Sequence, residues 1–158
     1  MMKCTPVTCL KMVYSSDTPG PEFFCYTDGA SRGNPGPASY AFLIVKEETV
    51  IHEEHGFLGI STNNVAEYMA VIHGLRWLAP VTGGAVHVYS DSELVMRQLS
   101  GAYAVKKTHL AELHRDVSAL ANRFERVTYQ SVPRENHYIR QADTLCNLEL
   151  DRQRELLK

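Results

Sequence analysis

Asp28 interrupts the apolar run EFFCYTDG, immediately before Gly29, where a buried strand would ordinarily carry another Val or Ile. A buried carboxylate is costly unless a hydrogen bond, an ion pair or a metal compensates it. Three more acids stand at comparable junctions. Asp91 closes the run AVHVYS and opens the next helical segment, Glu67 lies early in a helical segment behind Thr62-Asn63-Asn64, and Asp143 lies near the start of the last one. Each has an ordinary reading as well. Asp is a favoured helix cap, contributing ~1 kcal/mol, and an acid near a helix start gains from the helix dipole. With 18 acidic residues in the chain, position alone leaves both readings open.

Other chemistry-bearing residues carry weaker signals. His52 and His55 have a spacing expected by chance, and His109 and His114, five apart on a helical segment, point to different faces. Both pairs read as solvent-facing or core histidines, and Trp77 reads as packing.

The elements that must position the four acids follow from periodicity. EFFCYTDG, SYAFLIV and a segment around VIHEEHGFL read as three strands joined by short turns, the first turn being SRGNPGP; this is an antiparallel meander. The period then changes. Val65, Tyr68, Met69, Ile72, Leu75 and Leu78 recur at three- and four-residue steps, an amphipathic helix broken by Gly83-Gly84. AVHVYS reads as a short buried strand and SELVMRQLSG as a short helix ending at Gly101. A further helical stripe runs through Leu110, Leu113, Val117, Leu120 and Phe124; RVTYQSV alternates like a strand, and Ala142 through Leu157 forms a closing helix. The order β-β-β-α-β-α-α-β-α predicts an α/β fold: a mixed five-stranded sheet, its first three strands antiparallel, with helices on both faces.

Composition bounds the answer without choosing it. The 158 residues, 44% hydrophobic and 22% charged, fit one globular domain, read as residues 21–158 behind a flexible tail at 1–20. Cysteines at 4, 9, 25 and 146 lack the close pairing of a disulfide framework or zinc site. Reduced thiols, the lack of a leader-like segment and the interruption of the longest apolar run by His73 and Arg76 place the chain in the cytoplasm, off the membrane. A formal net charge of −2 does not announce a nucleic-acid binder, but two bound divalent cations would bring it to +2.

The run YTDGASRGNPGPASYAF resembles the opening strand, turn and second strand of type 1 ribonuclease H. TNNVAEYMAVIHGL is similar to that family's first helix, VYSDSELVMRQLSGAYAVK to its fourth strand and second helix, and VPRE followed by ADTLCN to its last catalytic loop and closing helix. The resemblance covers about residues 22–150 and is nearest to the short archaeal-like branch, which shares the Asp-Ser-Glu and Val-Pro-Arg-Glu wording. It implies that Asp28, Glu67, Asp91 and Asp143 bind two Mg²⁺ ions, with Mn²⁺ as a substitute, and hydrolyse the RNA strand of RNA–DNA hybrids to 5′-phosphate and 3′-hydroxyl ends. Hard cations choose oxygen ligands, and paired ions ~4 Å apart activate water and stabilise a leaving oxygen. Gly29, Asn34, Thr62, Asn63, Asn64 and Glu93 match positions that approach the two strands. Without the resemblance, Asn34 with Pro35-Gly36 would read as a turn and Thr62-Asn63 as a helix cap.

The chain also departs from the family pattern. GAYAVKKTH stands where many members carry a long basic insertion, leaving Lys106 and Lys107 as the local positive charge and predicting weaker hybrid binding. Ile60 replaces an arginine that some members use beside the residue matched by Thr62. Glu135 stands where many members have a histidine, and Ile139 where relatives commonly have Asn; His137 lies nearby, expected in a flexible loop before Asp143 where it would relay a proton or loosen the product phosphate. Three classes follow: a monomeric hybrid-cleaving endonuclease, a related-fold nuclease acting on DNA or double-stranded RNA, and a non-catalytic hybrid-binding module. A complete carboxylate set argues against the last.

Overall fold

The computed structural model describes residues 21–157, so the expected tail at 1–20 lies outside the described residues. Five strands form one sheet: β1 (Glu22–Ser31), β2 (Gly36–Lys46), β3 (Thr49–Ser61), β4 (Ala85–Ser90) and β5 (Arg126–Ser131). Four helices accompany them: α1 (Asn63–Leu78), α2 (Glu93–Leu99), α3 (Thr108–Ala121) and α4 (His137–Leu156). The sheet order is β3-β2-β1-β4-β5; β1, β2 and β3 pair antiparallel, while β1, β4 and β5 run parallel. The expected mixed sheet and element order are what the structure has.

Helices cover both faces. On one side Phe42, Ile44, Val86 and Val88 pack against Tyr68, Ile72, Leu75 and Leu78 of α1, Met96 of α2 and Val117 of α3. On the other, Ala41 and Leu43 meet Ala142 and Cys146 of α4. Residues 38–45 of β2 are therefore buried on both sides, which explains why that strand reads as an unbroken apolar run rather than alternating. Each fully buried Leu, Ile or Phe contributes about 1.5–3 kcal/mol relative to exposure. Among the described residues, no helix is long and apolar enough to cross a membrane.

Helix ends correct two expectations. α1 stops at Leu78, ahead of Gly83-Gly84, because Pro80 has no N–H with which to continue it. α4 begins at His137 rather than Ala142, because Asn136 caps it, its Oδ1 accepting from Tyr138 N–H at 2.9 Å and Ile139 N–H at 3.2 Å. The polar residues His137, Arg140 and Gln141 hid that first turn from the apolar pattern, although Ile139 already belongs to the buried stripe.

Candidate active site

All four acids converge at one end of the sheet. Asp28 sits in the centre of β1, opposite Ala41 of β2, and is 6% exposed. Beside it, Gly29 is pressed against α1: a Cβ there would collide with the backbone of Ala66 and Glu67, so only glycine lets the helix come this close. That approach carries Glu67, 9% exposed, to Asp28's side. Glu67 is the fifth residue of α1, beyond the first turn, so the dipole does not account for it. Asp91 follows β4, and the cap of α2 is Ser92, whose Oγ accepts from Val95 N–H at 3.3 Å; capping therefore does not account for Asp91. Asp28, Glu67 and Asp91 each offer an oxygen within 4.8 Å of the others. Asp143 projects from the second turn of α4 into the same cleft, a hollow of about 740 Å³.

Electrostatics at this convergence are strained. Burial first, and then the charges of Asp91 and Asp143, push the Asp28 carboxyl up to about 8, with the Gly29 N–H working the other way. Glu67 is driven well above the usual carboxylate range by burial, then by Asp28 and Asp91. Its Oε1 is buried with no hydrogen-bond partner. Burial also raises Asp91, opposed by Arg134, whose Nε lies 3.6 Å from Asp91 Oδ2. Like-charged carboxylates cannot all ionise together in a poorly solvated site without cations. Hard divalent ions fit this donor set, which is all oxygen and includes a buried oxygen with nothing to bind.

Arg134 is the basic residue among those lining the cleft, and the sequence reading passed over it. Its signal lies in the motif VPRE, where it directly precedes Glu135. Position in the folded loop, not residue type, distinguishes the two.

The expected substrate-contact residues divide. Gly29, Asn63 and Asn64 line the cleft. Asn34 and Thr62 serve local structure: Asn34 Oδ1 accepts from Asn63 N–H at 3.0 Å, and Thr62 Oγ1 caps α1 by accepting from Val65 N–H at 3.3 Å. Asn63 Oδ1 in turn accepts from Ser31 N–H at 2.9 Å, so these residues knit the β1–β2 turn to the start of α1. The turn and cap readings of the sequence thus hold physically at the cleft's rim. Glu93 is exposed, pairs with Arg97 at 3.0 Å and does not line the cleft.

His137 is not in a flexible loop. It is the first residue of α4, its Nε2 lies 2.9 Å from Gln141 Nε2, and it lines a separate hollow with Arg140, Gln141 and Thr144. Of the other histidines singled out in the sequence, His52 stacks on Trp77 at 4.3 Å, His55 bonds Glu149 at 2.9 Å, His114 bonds the Gln98 carbonyl at 3.0 Å, and His109 is exposed.

Residues 26–149 match the family described as Reverse transcriptase-like. The ribonuclease HI of Halobacterium salinarum is 36% identical over 133 residues, covering 84% of this chain and 66% of that protein. Its crystal structure superposes with a TM-score of 0.78 at 34% identity, over 82% of this chain and 98% of that one. The chain belongs to the type 1 ribonuclease H family. A bifunctional protein of Mycobacterium tuberculosis is 42% identical over 127 residues, 78% of this chain but only 34% of that protein. The chain thus spans about a third of the length of that relative. The N-terminal RNase H domain of the mycobacterial protein superposes with a TM-score of 0.82 at 36% identity, covering 88% of this chain and all of that domain. LC11-RNase H1, solved in complex with an RNA/DNA hybrid, gives a TM-score of 0.78 at 36% identity over 83% of this chain and 98% of that one.

Within this ribonuclease H fold, the departures noted in the sequence take definite places. Lys106 and Lys107 are exposed on the short connection between α2 and α3, which holds no extra element. Ile60 is 71% exposed near the end of β3, and Ile139 is buried in the core. The position where relatives commonly have Asn is therefore a packing position here.

Proposed function

We propose that this chain is an endonuclease that hydrolyses the RNA strand of RNA–DNA hybrids, leaving 5′-phosphate and 3′-hydroxyl ends, with two divalent ions held by Asp28, Glu67, Asp91 and Asp143. The observation that carries the proposal is the partnerless, buried Glu67 Oε1 beside Asp28 and Asp91, an arrangement that costs stability unless cations fill it. Mg²⁺ suits the all-oxygen donor set, with Mn²⁺ as a substitute. When bound, such a pair supplies activation of water and stabilisation of the leaving oxygen.

The chain's own residues do the rest. Asp28 and Glu67, fixed by the β1–α1 contact, form an inner wall; the less buried Asp91 and Asp143 complete the set in the same cleft. Asn63 and Asn64, at the rim, present amide donors and acceptors to a minor groove in which a hybrid displays 2′-hydroxyls on one strand only. Arg134 offers the cleft's own positive charge to a phosphate. All four carboxylates come from one chain, which supports a monomer as the working unit.

Matched 5′-labelled RNA–DNA, RNA–RNA and DNA–DNA duplexes, incubated with Mg²⁺, Mn²⁺ or EDTA, test the reading. Cleavage confined to the RNA of the hybrid and abolished by EDTA is expected. Cleavage that persists in EDTA, or an intact hybrid at saturating metal, would overturn it; cutting of the RNA duplex would widen the substrate class.

A further inference from the structure

Large side chains dock α1 on the sheet, but α4 is seated differently. Its contact with β2 is made by Ala142 and Cys146 against Ala41 and Leu43, all fully buried. Small residues on the helix side bring its backbone close to the strands. Three polar contacts among Ser39, Asp28 and Cys146 cross this apolar seam, one of them from the Cys146 thiol to the Ser39 carbonyl at 4.0 Å. Ser39, itself fully buried, donates from Oγ to the Cys146 carbonyl at 2.9 Å, and the Cys146 thiol reaches the Asp28 carbonyl oxygen at 3.5 Å. Cys146 stands one turn beyond Asp143 on α4. One side chain therefore links the peptide of the central acid on β1 to the helix that carries Asp143, whose carboxyl is within hydrogen-bonding reach of Asp28's own.

Ser39 is placed for this by strand alternation: in regular register with β1, opposite Ala30, it shares a face with Ala41 and Leu43, which pack on α4. The irregularity beside it belongs to β3, where Leu58 is the extra residue before Gly59. The Cys146 S–H is the donor to the Asp28 carbonyl.

We infer that Ser39 and Cys146 are positioning residues that set the distance between Asp28 and Asp143 and thereby the site's grip on divalent cations. The inference rests on the two-ion reading above. Mg²⁺ demands ligand oxygens at about 2.0–2.1 Å in near-octahedral order, so a helix displaced by a fraction of an ångström loses affinity without any ligand being removed. Partners behind the ligands typically carry 10- to 100-fold in metal affinity.

The test measures Mn²⁺ binding by electron paramagnetic resonance and Mg²⁺ binding by calorimetry on the full chain, alongside thermal unfolding without metal. Ser39→Ala and Cys146→Ala should each weaken binding about tenfold, at the low end for such partners. The turnover deficit should close as Mg²⁺ is raised, with the KM for hybrid unchanged. Cys146→Ser, which restores a donor of similar size, should recover most of the affinity. Variants that melt earlier yet bind both ions as tightly as the parent would overturn the inference and leave the seam as packing alone. If Cys146→Ala does not fold, Ser39→Ala decides, since it removes one hydroxyl and leaves the thiol in place. A parent that binds neither ion would sink the proposed function together with this inference, whereas a binding parent with equally binding variants sinks this inference alone.

Discussion

Asp28 and Glu67 form the inner wall of the cleft, with 6% and 9% exposure, whereas Asp91, just after β4, and Asp143, on α4, form its outer wall and remain half-buried. The buried wall is held by backbone contact at Gly29, and for Glu67 burial outweighs the relief that the Arg134 charge gives. The open wall has Arg134 beside Asp91 and solvent to relax into. Burial places charge where water cannot relieve it, so the inner pair creates the demand for cations and the outer pair completes the site. Substitutions on the two walls should therefore fail in different ways.

The largest effect is expected from the inner wall. Asp28→Asn keeps shape but removes charge, and losing several kcal/mol of barrier lowering should cut single-turnover cleavage about a thousandfold or more, with hybrid affinity within a few-fold. Near-normal turnover at saturating metal would dissolve the distinction between the walls. The same variant reports on stability. In the folded, metal-free protein Asp28 holds its proton up to about 8, whereas in the unfolded chain it releases it near 3.8. Between those values the folded state binds more protons, so rising pH erodes stability, and the loss is complete above about pH 8. Thermal scans without metal should show the parent's melting temperature falling from pH 5 to pH 8 more steeply than that of Asp28→Asn. Added Mg²⁺ should restore the parent and not the variant.

On the outer wall the expected losses are smaller. Arg134→Ala should lower turnover about tenfold, with Arg134→Lys between it and the parent, because a lysine keeps the charge but not the planar fork. If initial rates across Mg²⁺ concentrations showed no change, the cleft's basic residue would be a surface charge only. Asn64→Ala should raise KM a few-fold while leaving kcat nearly intact, the pattern of uniform binding. An effect confined to kcat would move Asn64 into the reacting group. Smallest of all, His137→Ala should stay within about twofold across pH 6–9, since its hollow is not the cleft; a tenfold loss would show that α4's first turn opens during turnover.

Much of this was legible in the residues. The meander, the amphipathic spacing of α1 and the oddity of Asp28 inside an apolar strand are local patterns, and the four acids could be named because the surrounding motifs resemble a known family. The ordinary readings of Asn34 and Thr62 were equally visible and describe real hydrogen bonds. Local pattern could not settle where α4 begins, because the Asn136 cap precedes a polar turn, nor that Arg134 rather than His137 lines the cleft. It could not show that Gly29 is the point where helix and strand touch. Side-chain type and spacing determine which groups are available and which elements form, since those depend on neighbours within a few residues. Which groups meet, which lose their water and which are left without a partner depend on packing between segments as far apart as Asp28 and Cys146, and only the folded chain decides that.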